Sequence, residues 1–256
     1  VSRANYLWFV AGGPLGGITG VLLSGIGLYF LYPTQPVAAL FCAFSLFINA
    51  LLTVVTMMPL KLDDNFDTDG TQFFDLLRGG DRASRKLAMA RLMQVSTSGI
   101  RPAEYPEEFI QAIERSGPPD RDTLFAVLFR SAAQMDRKDW HNAQASLRLV
   151  TTHIEKLPPI IKRMTYLQAA TVEGLNGNAD GAQELLQKAG SKGWADKSSI
   201  ALANAAVLSA AGQLKEMLPL LDEAEREIPN VADPGTRIMY KDLVQHLRRQ
   251  AETASA

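Results

Sequence analysis

Four carboxylates cluster within seven positions of this chain, in the segment Asp63-Asp64-Asn65-Phe66-Asp67-Thr68-Asp69-Gly70. They follow a long apolar stretch, and carboxylates are expensive to hold near hydrocarbon, so a cluster in this position indicates a candidate functional site. Carboxylate oxygens are regular ligands of zinc and of calcium. The simpler interpretation is a solvated loop that ends a membrane helix.

Asp69 differs from the other three acids because it precedes Gly70, a residue that tolerates unusual backbone angles. We therefore take Asp69 as the candidate metal ligand. An EF-hand calcium loop is an alternative, since Asn65, Asp67 and Asp69 occupy its first, third and fifth positions. Its twelfth position requires a bidentate glutamate and is Leu76 here, which argues against calcium.

The elements that must position this cluster are two predicted membrane spans. Residues 4–60 contain no Asp, Glu, Lys, Arg or His. They divide into apolar stretches at about 6–31 and 37–60, each longer than the roughly 20 residues that cross a bilayer as a helix. The connection at 32–36 contains two prolines and predicts an antiparallel hairpin. A buried hairpin in a soluble protein is the alternative.

The basic residues predict the orientation of the hairpin. Arg3 precedes the first span, and no basic residue lies in the turn between the spans. The basic residues that follow the second span are Lys61, Arg78, Arg82, Arg85 and Lys86. The positive-inside rule therefore places both ends of this chain in the cytosol, and we expect a multi-pass integral membrane protein in contact with lipid.

Small and polar residues mark the two spans. Gly12, Gly16, Gly20 and Ser24 recur at every fourth residue and predict a face against which another helix packs, either the second span or a helix absent from this chain. Pro14, after Gly13, predicts a kink or break in the first span. Asn49 in the second span needs hydrogen-bond partners that lipid does not provide. It is either an interhelical contact or part of a substrate-binding site.

The remaining residues predict a soluble helical region. Helices rich in alanine at 124–135, 164–175 and 200–211 are each followed by a second helix, which opens at 139, 178 or 213. Helix pairs that repeat with a period of about 34 residues resemble the tetratricopeptide repeat. Such repeats stack into a solenoid with a binding surface for a protein partner. A generic helical bundle is the alternative.

The whole chain is therefore predicted to be all-α, with a membrane domain at 1–80, a soluble helical repeat-like domain at 81–250 and a frayed tail at 251–256. The formal net charge of −1 gives no basic face for nucleic acid. The single cysteine, Cys42, lies in an apolar run and forms no intrachain disulfide.

Three motifs together resemble the site-2 protease family of intramembrane zinc metalloproteases. Gly12-Gly13-Pro14-Leu15-Gly16-Gly17 resembles its Gly-Pro motif. Asn49, Met58-Pro59-Leu60 and Asp69-Gly70 resemble its Asn…Pro…Asp-Gly motif, with Pro14, Pro59 and Gly70 as motif positions. The resemblance implies that Asp69 is the third zinc ligand and that Asn49 handles the substrate strand. The spacing between Asn49 and Asp69 is longer than in the compact motif.

The other parts of such a site are missing. The resemblance implies a His-Glu-x-x-His helix that supplies two zinc ligands and the catalytic glutamate, and this sequence has none. No catalytic residue is therefore assigned here, and we expect this chain alone to be inactive and to need N-terminal transmembrane helices from outside it. The predicted function is the C-terminal part of a metalloprotease that cleaves membrane proteins and recruits partners through its helical domain. The alternative is a non-catalytic, membrane-anchored scaffold or adaptor.

Overall fold

The computed structural model describes residues 2–58, 61–63, 66–114, 119–191 and 195–255. Within these ranges the fold is helical apart from one short β-hairpin, so the predicted all-α class is confirmed. The chain divides into two compact units, Val1–Ala90 and Arg91–Ala256. This division falls later in the chain than the boundary that the sequence predicts, and it lies within a continuous helix.

The first unit begins with two long apolar helices, α1 (Arg3–Leu31) and α2 (Pro36–Met57), which pack against each other. Both are long and apolar enough to cross a membrane, and they coincide with the two predicted spans. Pro36 at the first turn of α2 starts that helix at no hydrogen-bonding cost, because the N–H it lacks would have no partner in the helix. The two helices indicate that the protein associates with a membrane.

Helix α1 runs through Pro14 without interruption. Of the two outcomes predicted at this proline, a kink or a break, the break is therefore wrong. Proline removes one intrahelical hydrogen bond, the bond to the carbonyl of Val10. Helix α1 packs against both α2 and α3, and these contacts help to keep it continuous despite this loss.

Past α2 the chain forms a small hairpin and then two further helices. Strands β1 (Lys61–Asp63) and β2 (Phe66–Asp67) are antiparallel, and they lead into α3 (Asp69–Arg78) and α4 (Asp81–Thr97). The side chain of Arg3 donates hydrogen bonds to the carbonyls of Leu76 (Nε, 2.7 Å) and Leu77 (Nη2, 2.9 Å) at the end of α3. A cation at this end of a helix satisfies carbonyls that have no partner in the helix.

The second unit contains three helical hairpins followed by a long final helix. Its helices after α4 are α5 (Glu107–Ile113), α6 (Arg121–Asp136), α7 (Trp140–Thr152), α8 (Pro159–Leu175), α9 (Ala179–Ala189), α10 (Lys197–Ala210), α11 (Leu214–Glu227) and α12 (Pro234–Ser255). The first helices of the three hairpins, α6, α8 and α10, begin at equal intervals along the chain. The second helices begin one residue after the positions at which the sequence predicts that they open.

The final helix differs from the prediction at its end. Helix α12 continues through Ser255, and Ala251 is buried in the core of the second unit. Residues 251–256 are predicted to form a frayed tail because they are small and polar. Burial of Ala251 against the preceding helices extends the ordered helix beyond the predicted boundary.

Candidate functional site

One face of α1 consists of small residues, and each of them lies against a side chain of α2 or α3. The small residues are Gly13, Gly17, Gly20, Ser24 and Gly27, and their respective neighbours are Asp69, Thr53, Asn49, Ser45 and Cys42. Small residues allow helices to approach closely in a membrane, and the space they leave is filled here mostly by polar side chains. This face brings the Gly-Pro segment and the Asp-Gly pair together.

Of the four residues predicted to form a packing face, two contact α2 and two have no described neighbour. Gly20 and Ser24 contact α2: Gly20 lies against Asn49, and the Ser24 hydroxyl donates to Ser45 Oγ at 3.0 Å. A Cβ added to Gly12 or Gly16 would have no described atom within 4 Å. A strict four-residue spacing drifts around a helix of about 3.6 residues per turn, so Gly12 and Gly16 lie on a different face from Ser24.

Asp69 is the first residue of α3, and its carboxylate lies against α1. Thr68 caps the helix, because its Oγ1 accepts from the Thr71 N–H at 3.3 Å and donates to the Met58 carbonyl at 2.6 Å. A Cβ built on Gly13 would lie 2.6 Å from Asp69 Oδ2. No described residue donates a hydrogen bond to the Asp69 carboxylate or forms an ion pair with it. The capped start of α3 thus places the backbone of Asp69 beside Gly13 of α1.

Gly70 allows α3 to reach this position. A Cβ on Gly70 would overlap the backbone carbonyl of Met57, at the end of α2. The glycine is buried, and only a residue without a side chain lets the first turn of α3 pack against this carbonyl. The second residue of the Asp-Gly pair therefore has a steric role in placing Asp69.

Asp67 is not a solvated loop residue, which corrects the interpretation that it shares with Asp63 and Asp64. Arg82 Nη2 lies 2.8 Å from Asp67 Oδ1, and Lys86 Nζ lies 2.6 Å from Asp67 Oδ2. Both cations also reach Asp75, at 2.9 and 3.1 Å. Partial burial acts to raise the pKa of Asp67, but Lys86 and Arg82 outweigh it and hold this pKa below its ordinary value.

The sequence does not predict this ion-pair cluster, because Arg82 and Lys86 are considered there only as basic residues that orient the hairpin. The side chains of Asp67, Asp75 and Lys86 are mostly buried, with exposed fractions of 21, 15 and 12%. Its ion pairs link Asp67 in β2 and Asp75 in α3, which precede and follow Asp69 in the chain, to the same two cations of α4. The available sequence signal was the spacing of Arg82 and Lys86, which lie one helical turn apart and therefore on the same face of α4.

Asn49 lies farther along the same small-residue face. Its amide Nδ2 donates to the Ser45 carbonyl at 2.8 Å and to Ser45 Oγ at 3.2 Å, and its side chain lies against Gly20. The step from Gly13 to Gly20 corresponds to about 10 Å along α1. Asn49 and Asp69 therefore share a face of α1 and sit about two helical turns apart along it.

An apolar groove borders Asp69 between α1 and α3. It has a volume of about 470 Å³, and its lining includes Trp8, Pro14, Ile18, Gly70, Phe73 and Phe74. Two of these, Pro14 and Gly70, are predicted motif positions. No separate sequence signal marks this groove, because its aromatic residues come from two helices that are distant in the chain.

Of the metals considered, zinc fits the chemistry of Asp69. A single carboxylate oxygen is a regular zinc ligand. An EF-hand fails, because residues 69–78 form a helix and Leu76, at its twelfth position, is fully buried in the core with Val10 and Ala83. Among the described residues, no group of three or more His, Cys, Asp or Glu could hold a metal ion. The three histidines, His141, His153 and His246, all belong to the second unit.

Pro59, the remaining motif position, and Asp64 and Asn65 lie outside the described residues. Comparison of the chain with models of protein families, with curated proteins and with solved structures finds no match. The geometry of the first unit and the helical hairpins of the second are therefore the features that bear on function.

Proposed function

We propose that this chain is the C-terminal part of a zinc metalloprotease of the site-2 protease type, which hydrolyses peptide bonds of membrane-protein substrates. Asp69 is its third zinc ligand. The two histidine ligands and the catalytic glutamate come from a His-Glu-x-x-His helix outside residues 1–256. Zinc in such a site lowers the pKa of its bound water and polarises the scissile carbonyl.

The observation that carries this proposal is the contact between Asp69 and Gly13. Two motifs that are distant in the sequence meet near the C-terminal end of α2. The Asp69 carboxylate has no described partner, whereas the neighbouring acids Asp67 and Asp75 each have two cations. A carboxylate that no described cation neutralises is available to bind a metal, and carboxylate oxygens are regular zinc ligands.

The groove beside Asp69 supports the same proposal. An unfolded segment of a membrane protein is apolar, and the groove offers it an apolar surface next to the proposed metal. Asn49, two turns deeper on the same face, is the proposed contact for the substrate strand. In this arrangement Asp69 binds the metal, and Gly70 allows the first turn of α3 to pack against the end of α2. Pro14 and Phe73 line the groove that the substrate would occupy.

The remaining parts of the proposal concern topology and recruitment. Both helices α1 and α2 span the bilayer, and both ends of the chain lie in the cytosol, as the basic residues predict. The three helical hairpins form a tetratricopeptide-like domain that binds a protein partner or substrate. The recurrence of three helix pairs supports this assignment, although their first helices begin 38 residues apart (Arg121, Pro159 and Lys197), a longer interval than the roughly 34 residues of that repeat.

The test is the effect of Asp69→Asn on the longer protein that contains the His-Glu-x-x-His helix. We expect the variant to lose proteolytic activity by at least a hundredfold and to retain less than one zinc per chain, because asparagine keeps the shape but not the charge of the ligand. Activity against a transmembrane substrate and zinc content by mass spectrometry are the measurements. Asp180→Asn, an exposed acid in the first turn of α9, is the matched control and should change neither.

A membrane-anchored scaffold is the second candidate. The second unit favours it, since the larger part of the chain is a helical domain with its own core. The coding sequence upstream of Val1 separates the two candidates. A complete gene without a His-Glu-x-x-His segment would overturn the protease proposal and leave the scaffold.

A further inference from the structure

A polar groove lies between α7 and α9, the second helices of the first two hairpins. It has a volume of about 260 Å³, and its base includes Glu173, a buried residue of α8. Pockets that enclose drug-sized ligands measure about 300–1,000 Å³, so this groove has room for a single side chain or a small ion. Its other polar lining residues include Gln144, Arg148, Thr151, Asn178 and Lys188.

The Glu173 carboxylate is held by two neutral amides at one oxygen. Its side chain is only 7% exposed, and Oε2 accepts from Gln144 Nε2 at 2.6 Å and from Asn178 Nδ2 at 2.7 Å. A carboxylate oxygen has two lone pairs, so these two bonds saturate Oε2. Because neither amide is charged, the cation that a buried acid requires has to bind at Oε1.

Arg148 pairs with Oε1 in a weak geometry. Its Nε and Nη2 both donate to this one oxygen, at 3.3 and 3.2 Å. A bidentate arginine engages both oxygens of a carboxylate, and its charge-assisted bonds are typically about 2.7–2.9 Å long. The Arg148 side chain is 65% exposed, so solvent screens much of the attraction. Oε1 is therefore the atom of Glu173 at which an external cation can replace Arg148.

The architecture of the hairpins does not require an acid at this position. In each hairpin, the N–H of the residue that caps the second helix bonds to the carbonyl five residues earlier, which belongs to Gln134, Glu173 or Leu208. At the two equivalent positions, Gln134 accepts from Ser146 Oγ at 2.8 Å and Leu208 packs against the hydrophobic core. A buried carboxylate costs desolvation energy that these neutral residues avoid, so the acid at position 173 points to a role in binding.

We propose that the groove between α7 and α9 binds the guanidinium group of an arginine side chain on a protein partner, with Glu173 Oε1 as its anion. Oε1 already accommodates a guanidinium, that of Arg148, and this exposed side chain turns to solvent when the ligand enters. The proposal rests on the recruiting role proposed for the helical domain. It identifies the group by which the partner docks as an exposed arginine.

The rest of the lining is compatible with a guanidinium ligand. Leu147 and Leu185 provide an apolar wall, which suits a guanidinium because it is more weakly hydrated than an ammonium group. The other cation of the groove, Lys188, pairs with Glu184 at 2.6 Å, so the charge of Lys188 is offset at the rim. An anionic ligand would instead meet the buried carboxylate of Glu173.

The first experiment titrates the full chain in detergent with Nα-acetyl-arginine amide and measures binding by calorimetry. Nα-acetyl-citrulline amide is the matched probe, because it has nearly the same shape and no charge. We expect the arginine probe to bind about fivefold more tightly than the citrulline probe, since only the former bonds to Oε1 as an ion. Equal binding of the two probes would overturn the proposal. Tighter binding of free arginine than of the capped probe would also overturn it, because a side chain in a protein lacks charged α-groups.

Two variants test the location of the site. Glu173→Gln keeps the shape of the side chain and removes its charge, and it should bind the arginine probe about fivefold more weakly. Thr151→Phe fills the groove from α7 and leaves the Glu173 carboxylate in place, so it should weaken binding even if Glu173→Gln fails to fold. Glu252→Gln, an exposed acid of α12, is the control and should bind like the unmodified chain.

Unchanged binding of the arginine probe to Thr151→Phe would show that the probe binds elsewhere and would overturn the proposal. These measurements use small probes and involve neither zinc nor proteolysis. A negative result therefore overturns this groove as the docking site, and it is distinguishable from failure of the Asp69 assignment or of partner recruitment by another face of the helical domain.

Discussion

Gly70 is the residue whose identity the packing of the first unit explains most directly. We predict that Gly70→Ala destabilises this unit by about 1–3 kcal/mol, because the added methyl group meets the Met57 backbone carbonyl, which has no rotamer to change. Thermal unfolding in detergent measures the effect. Gly16→Ala is the matched control: its Cβ has no described neighbour within 4 Å, so it should leave the unfolding temperature unchanged or slightly raised.

Asp67 makes the stability of the same unit depend on pH. Its pKa is lowered in the folded protein, so its stabilising contribution is complete above its ordinary pKa of 3.8 and is lost as the pH falls through the lower folded value. We predict that Asp67→Asn destabilises the unit by about 1–2 kcal/mol at neutral pH. Denaturation at pH 7 and at pH 3 tests this, and the difference between the two proteins should shrink at pH 3. A difference that is the same at both values would contradict the assigned ion pairs.

Residue type and spacing distinguish the roles of Asp69 and Asp67 only in part. Both are acids beside the same membrane helix, and the sequence distinguishes Asp69 only through Gly70 and the more distant motif positions. The structure adds that Asp67 is paired with two cations and that Asp69 has no described partner. The role of Asp69 as a zinc ligand stays a prediction, for which the Asp69→Asn experiment is the test.

At the scale of elements, the same type of turn connects the two helices in each of the three helical hairpins. In each, the residue before the cap of the second helix has a positive φ: Lys138 (61°), Gly177 (79°) and Gly212 (72°). The next N–H bonds back five residues in each case, from Asp139 to Gln134, Asn178 to Glu173 and Gln213 to Leu208. This is the Schellman arrangement, which ends a helix with a residue in the left-handed region. The shared turn explains why the sequence places the second helices correctly.

Gly177 tests this turn. We predict that Gly177→Ala destabilises the second unit by about 1 kcal/mol, because the φ of 79° is unfavourable for a residue with a Cβ. No described atom lies within 4 Å of that Cβ, so a clash does not contribute. Chemical denaturation provides the measurement. Gly177→Asn is the control and should lose less, since asparagine tolerates the left-handed region; equal losses would point to a different cause.

Helix α1 illustrates where spacing alone fails. The predicted packing face has a small residue at every fourth position, and Gly20 and Ser24 of that face contact α2. The contacting face in fact follows Gly13, Gly17, Gly20, Ser24 and Gly27, which alternate steps of four and three residues. That alternation keeps residues on one side of a helix, as in coiled coils. Recognising it would have identified Gly13 as the neighbour of another element.

For the whole molecule, the predicted orientation in the membrane is open to direct measurement. With Cys42 replaced by serine, Thr34→Cys places a single thiol in the turn between α1 and α2, and Ser98→Cys places one in the exposed segment after α4. A membrane-impermeant maleimide should label Thr34→Cys on intact cells and Ser98→Cys only after permeabilisation. The reverse pattern would contradict the positive-inside assignment, and labelling of both would contradict the two spans.

The two units differ in how far sequence patterns predict them. Absence of charge over residues 4–60 is sufficient for two apolar helices, because a bilayer demands long apolar stretches and little else. Alanine-rich helices and their caps locate the hairpins, because the signals for ending and starting a helix are local. Helix class, order and approximate bounds therefore follow from the sequence.

Contacts between distant residues depend on the folded chain. The Asp69–Gly13 approach and the packing of α12 on α10 and α11 join residues whose spacing carries no mutual signal. The spacing of Arg82 and Lys86 marks a shared helix face but does not identify Asp67 as its partner. Each is selected by shape and charge once helices pack, since close packing and paired burial of charge are properties of the assembled core. The sequence alone thus marks Asp69 as a candidate ligand, and the packing of α3 on α1 gives it a fixed position.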